Sequence, residues 1–466
     1  MIQKVSVIGL GKLGASMAAA FASRGLEVIG VDVNQPTIDL VNDGHAPVQE
    51  TNLEETIAAN RQRIRATDSH EEAVLNSDIS FVIVPTPSDE RGAFSLQYAA
   101  WAFNEIGKAL AKKKTYHNVV LTSTVLPGST RQAMIPILEK ASGKKAGRDF
   151  GVCYSPEFIA LGSIIHDFLN PDFTLIGELD DKCGAQLEEL YSRVMTNGSR
   201  SARMSLENAE LTKISVNTFV TTKIAFANML AEICEQLPGG DIDVVTNALG
   251  LDSRIGRRYL TGALGYGGPC FPRDNVALSF IARQLGVEAR LAETTDSMNR
   301  EIAQKVGEKI RPQLRDGATV AVLGLSYKPF SHVTEESQAL YIARYLSKQG
   351  IRVVAFDPMS SKMSLQDLRQ DIVVLDSVEE CLRQAEAVLI TTPDPFFESL
   401  EPEMFVNERS EVLVLDFWRI LQNKLSGQKH IKYVPFGNGA NDASNTARLN
   451  ELWGGTAMQI FQTSGK

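Results

Sequence analysis

The sequence predicts an α/β protein built from two doubly wound domains joined by a long central helix. Three observations predict it. A strand–turn–helix–strand pattern opens the chain, a second begins at Thr319, and between them helical periodicity runs unbroken from Ser205 to Leu237.

Val5 to Ile8 is a short β-branched run that meets a glycine-rich turn, followed by an Ala-rich amphipathic stretch from Ala15 to Ala22 and a second apolar run from Val28 to Val33. Further apolar runs at Ile79–Val84, Val119–Thr122 and Val152–Tyr154 alternate with helix-like segments, as a parallel doubly wound sheet requires. This first domain is placed at residues 1–200. The Ser205–Leu237 stretch holds no Pro or Gly and far exceeds the average helix of ~11–12 residues. It reads as a spine within a central segment, residues 201–314, and offers a surface to a partner, so a homodimer or higher homo-oligomer is expected. From residue 315 to 466 a second domain follows: Val320–Leu323, a turn through Gly324 to Pro329, a helical stretch Glu335–Lys348, Val353–Asp357, and strands at Val388–Thr391 and Val412–Asp416.

A chain of 466 residues, 44% hydrophobic, can bury large cores. With 47 basic and 56 acidic residues its formal charge is −9, so nothing global attracts nucleic acid or an anionic membrane. No apolar run approaches the ~20 residues that span a bilayer. The five cysteines, Cys153, Cys183, Cys234, Cys270 and Cys381, form no CxxC pair or His-containing cluster, which favours reduced thiols and argues against a structural metal. The opening Met1-Ile-Gln-Lys4 lacks the charged region, apolar core and cleavage site of a signal peptide. A cytoplasmic location is expected.

Gly9-Leu-Gly11-Lys-Leu13-Gly14 follows the first strand and opens a helix, with Asp32 at the end of the next strand. Gly9 and Gly11 permit the tight turn and close approach of a pyrophosphate, Gly14 lets helix and sheet pack closely, and the helix N-terminus supplies amide donors. Asp32 can accept from both ribose hydroxyls and would repel a 2′-phosphate. The fold is therefore Rossmann-like and the cofactor expected is NAD. Val84-Pro-Thr86-Pro87 and Ser123-Thr124-Val-Leu-Pro127 end later strands, where such a sheet presents its ligand crevice.

The most informative segment is Gly262-Ala-Leu-Gly265-Tyr-Gly267-Gly268-Pro-Cys270-Phe-Pro-Arg273-Asp274. Its glycines are expected to let the backbone approach a ligand while proline limits its freedom. Asp274 is expected to cap a helix from Asn275 to Leu285, whose electropositive end favours thiolate at Cys270. The bland alternative is a buried cysteine in a tight turn. In the spine, Glu210, Lys213 and Asn217 share one face at i, i+3 and i+7. Alone this reads as a solvated stripe, but Asn217 sits among Val216, Phe219 and Val220, where an amide should be committed to a partner. Ser155-Pro-Glu157-Phe158 adds a carboxylate at another strand end.

Together these segments, with Asp167-Phe-Leu-Asn-Pro-Asp172 and Gly324-Leu-Ser-Tyr-Lys328-Pro, resemble the nucleotide-sugar 6-dehydrogenases over nearly the whole chain. The resemblance implies two successive NAD-dependent oxidations of a sugar C6 alcohol to the uronic acid, of UDP-glucose or a related UDP-sugar, giving a product that polysaccharide synthesis consumes. It implies that Cys270 captures the aldehyde as a thiohemiacetal that becomes a thioester, that Lys213 and Asn217 stabilise oxyanionic intermediates, and that Asp274 activates water or assists proton transfer. Thr124 would hold a water beside the cofactor turn formed by Gly9, Gly11, Leu13, Gly14, Asp32 and Thr86, and Glu157 would contribute acid–base chemistry. Phe158, Lys213, Arg254, Tyr259, Gly267, Lys328 and Arg419 take the places of substrate contacts, Arg254 reaching the neighbouring subunit's substrate. Three positions depart from the family pattern. Leu161 stands where a second glutamate is usual, Glu335 where an arginine is usual, and Asp416-Phe-Trp418-Arg419 replaces Asp-Gly-Arg. On the residues alone two other readings stay open: a two-electron β-hydroxyacid-type dehydrogenase, which needs no thiol, and a non-catalytic NAD-binding protein.

Overall fold

The computed structural model describes residues 2–159, 162–359, 372–406, 411–440 and 443–463, the side chains of 455–463 excepted. Leu161, one of the departures noted above, lies outside the described residues. The chain forms two compact units, one of Met1–Val216 and Ala277–Glu288, the other of Asn217–Val276 and Ala289–Lys466.

The first unit is built on an eight-stranded sheet: β1 (Lys4–Ile8), β2 (Glu27–Val31), β3 (Ile64–Thr67), β4 (Ile79–Val82), β5 (Asn118–Leu121), β6 (Gly151–Tyr154), β7 (Phe173–Glu178) and β8 (Arg200–Ser205), in the order β3-β2-β1-β4-β5-β6-β7-β8. The first six are parallel and carry the doubly wound order. The expected all-parallel sheet is corrected at β7, which runs antiparallel to β6. Strands β1, β4, β5 and β6 are apolar runs buried on both faces, as helices on both sides of a parallel sheet demand. The helix Lys12–Ser23 lies close on the sheet because seven of its nine buried residues are Gly, Ala or Ser. Phe21 contacts Phe81 on β4 and Phe168.

The second unit repeats the architecture with six parallel strands: β9 (Thr319–Leu323), β10 (Arg352–Phe356), β11 (Val373–Val374), β12 (Ala387–Ile390), β13 (Val412–Asp416) and β14 (Ile431–Pro435), ordered β11-β10-β9-β12-β13-β14. A left-handed glycine follows the first strand of each sheet. Gly9, at φ 97°, donates to Val31 O at 2.7 Å, and Gly324, at φ 96°, donates to Phe356 O at 2.8 Å. The spine helix spans Leu206–Glu235; its residues up to Val216 belong to the first unit and the rest to the second.

At the end of the first sheet opposite the glycine turn lies a buried polar chain. The Nδ1–H of His117 faces Ser77 O at 3.2 Å, which can only accept, and Nε2 meets Ser80 Oγ at 2.8 Å, itself 2.6 Å from Ser6 Oγ. Burial, aided by the nearby Lys113 ammonium, pushes the imidazole from its ordinary 6.5 down to about 3. The folded chain therefore keeps His117 neutral while the unfolded chain takes a proton below 6.5, so stability held above that pH is lost as pH falls towards 3. Between pH 7 and pH 5 the loss attributable to this residue is on the order of 2 kcal/mol. Urea unfolding of the wild type and His117→Gln at both pH values should show the larger loss in the wild type; equal losses would refute the assignment.

Candidate active site

In the first unit the turn after β1 is shaped by close approach. A Cβ on Gly14 would lie 1.9 Å from Gly9 O, whereas one on Gly11 would meet nothing within 4 Å. Gly14 is thus a packing glycine, and Gly11 faces open space at the start of a twelve-residue helix that no side chain caps. An unblocked helix N-terminus beside open space is what a pyrophosphate needs. Asp32, just past β2, accepts from Leu10 N at 2.8 Å and from Asn34 N at 2.9 Å, so its carboxylate is held at the rim of the same turn. The residues present fit a dinucleotide. Leu13 is half-buried in the first turn of the helix and packs against the first core.

The two later strand ends are tied by hydroxyls. Ser123 Oγ accepts from Val84 N at 2.8 Å and donates to Val84 O at 2.7 Å, and buried Thr86 donates to Thr124 O at 2.8 Å. Glu210 is fully buried, and its carboxylate accepts from Gly128 N at 2.5 Å and Thr130 N at 2.8 Å. It therefore anchors the segment that carries Thr124 instead of forming a solvated stripe. Its neighbour on the helix, Lys213, is 8% exposed, donates to Glu157 O at 2.6 Å and stands 4.4 Å over the Phe158 ring. Glu157 keeps some surface yet is enclosed by protein atoms. Burial pushes its carboxyl up to about 8, against the opposing pull of the Lys213 ammonium. A carboxyl so placed can hold a proton near neutral pH and release it.

In the second unit Cys270 is exposed, whereas the other four cysteines are buried. The next residue starts a helix, Phe271–Gln284. The expectation that Asp274 caps a helix beginning at Asn275 is corrected: Asp274 lies inside the first turn, its N–H bonded to Cys270 O at 2.9 Å. Its carboxylate is freed from capping and accepts from Asn217 Nδ2 at 2.6 Å, with Arg273 Nε at 3.4 Å. The amide expected to have a partner has this one.

The glycines of the preceding loop also require a correction. They were expected to open the backbone to a ligand, but protein atoms occupy each Cβ position: Ile242 at 2.5 Å from that of Gly262, Asn299 Oδ1 at 2.0 Å from that of Gly265, Glu336 O at 2.5 Å from that of Gly267 and the Tyr327 ring at 2.6 Å from that of Gly268. The loop is glycine-rich because it packs into its own unit.

Arg254 is exposed and paired with Asp252 at 2.6 Å. Tyr259, half-exposed at φ 64°, meets Phe271 edge-on. Lys328 is half-buried beside the Tyr327 ring. Arg419 is buried at φ 60°, its guanidinium held by Asp243 at 2.7 and 2.9 Å and by the carbonyls of Gly262, Phe417 and Phe436. At the other departures, Glu335 exposes its side chain while its carbonyl accepts from Gly268 N at 3.0 Å, and Trp418 Nε1 donates to Thr391 O at 2.9 Å. Sequence reasoning missed Asp243, Asn228 and Asn299. Asn228 could have been noticed as a second amide three helical turns beyond Asn217; Asp243 and Asn299 carried no local signal.

Three domain models of one family match the chain. The UDP-glucose/GDP-mannose dehydrogenase NAD-binding domain covers residues 3–195, the central domain 207–301 and the UDP-binding domain 321–423. The UDP-glucose 6-dehydrogenase AglM of Haloferax volcanii is 34% identical over 425 residues, 90% of this chain and 98% of that protein. The GDP-mannose 6-dehydrogenase of Pseudomonas aeruginosa is 37% identical over 358 residues, 76% of this chain and 81% of that protein. Among solved structures, a UDP-glucose dehydrogenase from the archaeon Pyrobaculum islandicum superposes with a TM-score of 0.83 at 32% identity, covering 94% of this chain and 98% of that one. The chain belongs to the UDP-glucose/GDP-mannose dehydrogenase family and is an NAD-dependent oxidoreductase.

Proposed function

We propose that this protein oxidises the C6 alcohol of a nucleotide sugar, UDP-glucose or a related UDP-sugar, to the uronic acid in a four-electron reaction with Cys270 as the covalent nucleophile. The observation that carries the proposal is the placement of Cys270, an exposed thiol immediately before a helix whose first turn holds Asp274, which accepts from Asn217 on the spine helix. NAD, when bound, accepts one hydride in each of the two oxidations. The first oxidation removes a hydride from C6 and the hydroxyl proton, leaving an aldehyde. The Cys270 thiolate then adds to the aldehyde carbon, and the carbonyl oxygen takes a proton. Loss of a second hydride and of that proton converts the thiohemiacetal to a thioester. Water adds to the thioester carbon, the C–S bond breaks, and the thiolate is regenerated with the acid.

Lys213 and Asn217 are proposed to stabilise the oxyanions, Asp274 and Glu157 to move protons, and Thr124 to hold the water. The proposed cofactor contacts are Gly9, Gly11, Leu13, Gly14, Asp32, Thr86 and Thr124. Phe158, Lys213, Arg254, Tyr259, Gly267, Lys328 and Arg419 are the proposed substrate contacts; Gly267, its Cβ side filled by Glu336, could offer only its backbone, and Arg419 would have to exchange Asp243 for the substrate. Under this reading residues 1–200 bind NAD, 201–314 carry the thiol and 315–466 bind the nucleotide sugar. A reducing, cytoplasmic setting suits five cysteines that form no disulfide. Among the described residues no helix is long and apolar enough to cross a membrane.

A homodimer is proposed on the spine helix, where Phe219, Phe226, Met229 and Ile233 are exposed along one stripe, Phe219 at 65%. An unpartnered apolar stripe of this length favours a self-complementary contact.

Three outcomes test these proposals. Incubated with UDP-glucose, related UDP-sugars and GDP-mannose in turn, the wild type should release two NADH per acid formed, and Cys270→Ala should cut acid formation by roughly 10³-fold or more; an unchanged rate would eliminate the thiol mechanism. Gly11→Ala should leave stability within about 0.5 kcal/mol while NAD affinity drops about tenfold, as read by calorimetry; unchanged affinity would move the cofactor elsewhere. Phe219→Glu with Phe226→Glu should convert a dimer to a monomer in sedimentation velocity, and a wild type that sediments as a monomer would dispose of the dimer.

A further inference from the structure

Among the described residues no strand pairs with the loop leading to Cys270, yet much of its backbone is buried. Two asparagine side chains fill the place of one. Asn228, on the spine helix, accepts from Ala263 N at 2.9 Å and donates to Leu264 O at 3.3 Å. Asn299, on the helix Arg290–Ile310, accepts from Tyr266 N at 2.9 Å and donates to Tyr266 O at 3.0 Å. The two amides are 8% and 6% exposed, so water does not compete for these bonds. A carboxamide sets an N–H donor and a carbonyl acceptor side by side, as a peptide group does along a strand, which is why it can pair with a loop as a strand would. Gln338 Nε2 adds a third bond, to Tyr266 O at 3.2 Å, and Asn275 Nδ2 reaches Tyr266 Oη at 3.2 Å.

We infer that Asn228 and Asn299 are positioning residues that set the location of the Cys270 sulfur by clamping the backbone at Ala263–Leu264 and at Tyr266. The clamp acts over a short, stiff lever. Beyond Tyr266, Gly267 lies against Glu336 O and Gly268 against the Tyr327 ring, Pro269 fixes its own φ, and Cys270 adjoins the helix at Phe271. A shift at Tyr266 is therefore carried to the thiol. Gly265 completes the fit, since a Cβ there would sit 2.0 Å from Asn299 Oδ1. Misplacing a reacting atom by about 1 Å can cost ~10²-fold in rate. The step most exposed is capture of the aldehyde, because the first oxidation needs no sulfur. This inference rests on the reading of Cys270 as nucleophile.

The test uses the full-length enzyme with Asn299→Asp and Asn228→Asp, which keep shape and acceptor but lose the donor. Each is assayed with the UDP-sugar that the wild type turns over fastest. Expected are a fall in kcat of at least about tenfold with KM within about threefold, NADH per sugar consumed dropping from two towards one, and free aldehyde trapped by hydroxylamine. Amide exchange in the segment 262–270, read by mass spectrometry, should quicken by about tenfold or more. Asn228→Ser and Asn299→Ser, smaller and uncharged, give the same readouts if the aspartates do not fold. Unchanged exchange together with wild-type stoichiometry would overturn the clamp. Should the wild type itself yield one NADH per sugar, the nucleophile reading fails, and the clamp is then judged by amide exchange alone.

Discussion

Wherever a parallel strand ends in this protein, the chain must turn away without abandoning its amide groups, and an aspartate meets that demand three times. Asp32 follows β2 and holds Leu10 N and Asn34 N. Asp357 follows β10 and holds Leu325 N, Ser326 N and Met359 N. Asp416 ends β13 and gathers Trp418 N, Arg419 N, Leu421 N and the Tyr433 hydroxyl. Burial pushes the Asp416 carboxyl up, while these donors pull it back. Each carboxylate fixes a turn at the edge where a doubly wound sheet receives ligand. The left-handed residues Gly9, Gly324 and Arg419 are tolerated because those bonds over-determine the backbone around them.

The same need for partners governs the loop before Cys270, but helices answer it instead of strands. Side-chain amides stand in for a neighbouring backbone, and glycines admit them. Arg419 binds Gly262 O at the start of this loop, so the turn organised by Asp416 and the segment carrying Cys270 share one cation. Glu210 plays the matching part in the first unit, where its carboxylate holds the amides of Gly128 and Thr130. In both units buried, hydrogen-bonded side chains underpin the segment that carries the candidate site residues.

Much of this was legible in the sequence, for reasons that differ by element. Strands β1, β2, β4, β5, β6, β9, β10, β12 and β13 were readable because central parallel strands are continuous apolar runs. The turn Gly9–Gly14 was readable because its steric rules are local. Strands β7 and β8 were not: β8 reads Arg-Ser-Ala-Arg-Met-Ser, an edge strand with little burial to mark it. The start of the helix after Cys270 was misplaced because Pro272 suits its first turn and Asp274 resembles a cap, two local signals pointing to different starts. The partners of the cysteine loop were invisible for a different reason. Asn299 lies 33 residues from Tyr266 and Arg419 lies 157 from Gly262, and pairing over such separations leaves no periodic trace.

The carboxylate of Asp32 has two employers. In the proposed cofactor site its charge would disfavour a phosphorylated ribose, and its oxygens hold Leu10 N and Asn34 N in place. Redesigning the protein to use the phosphorylated dinucleotide is therefore not a matter of deleting a charge. A small apolar replacement would strip the glycine turn of an acceptor just as it met a bulkier guest. Asparagine removes the charge and retains an acceptor for Leu10, so engineering should begin there and add a cation nearby afterwards.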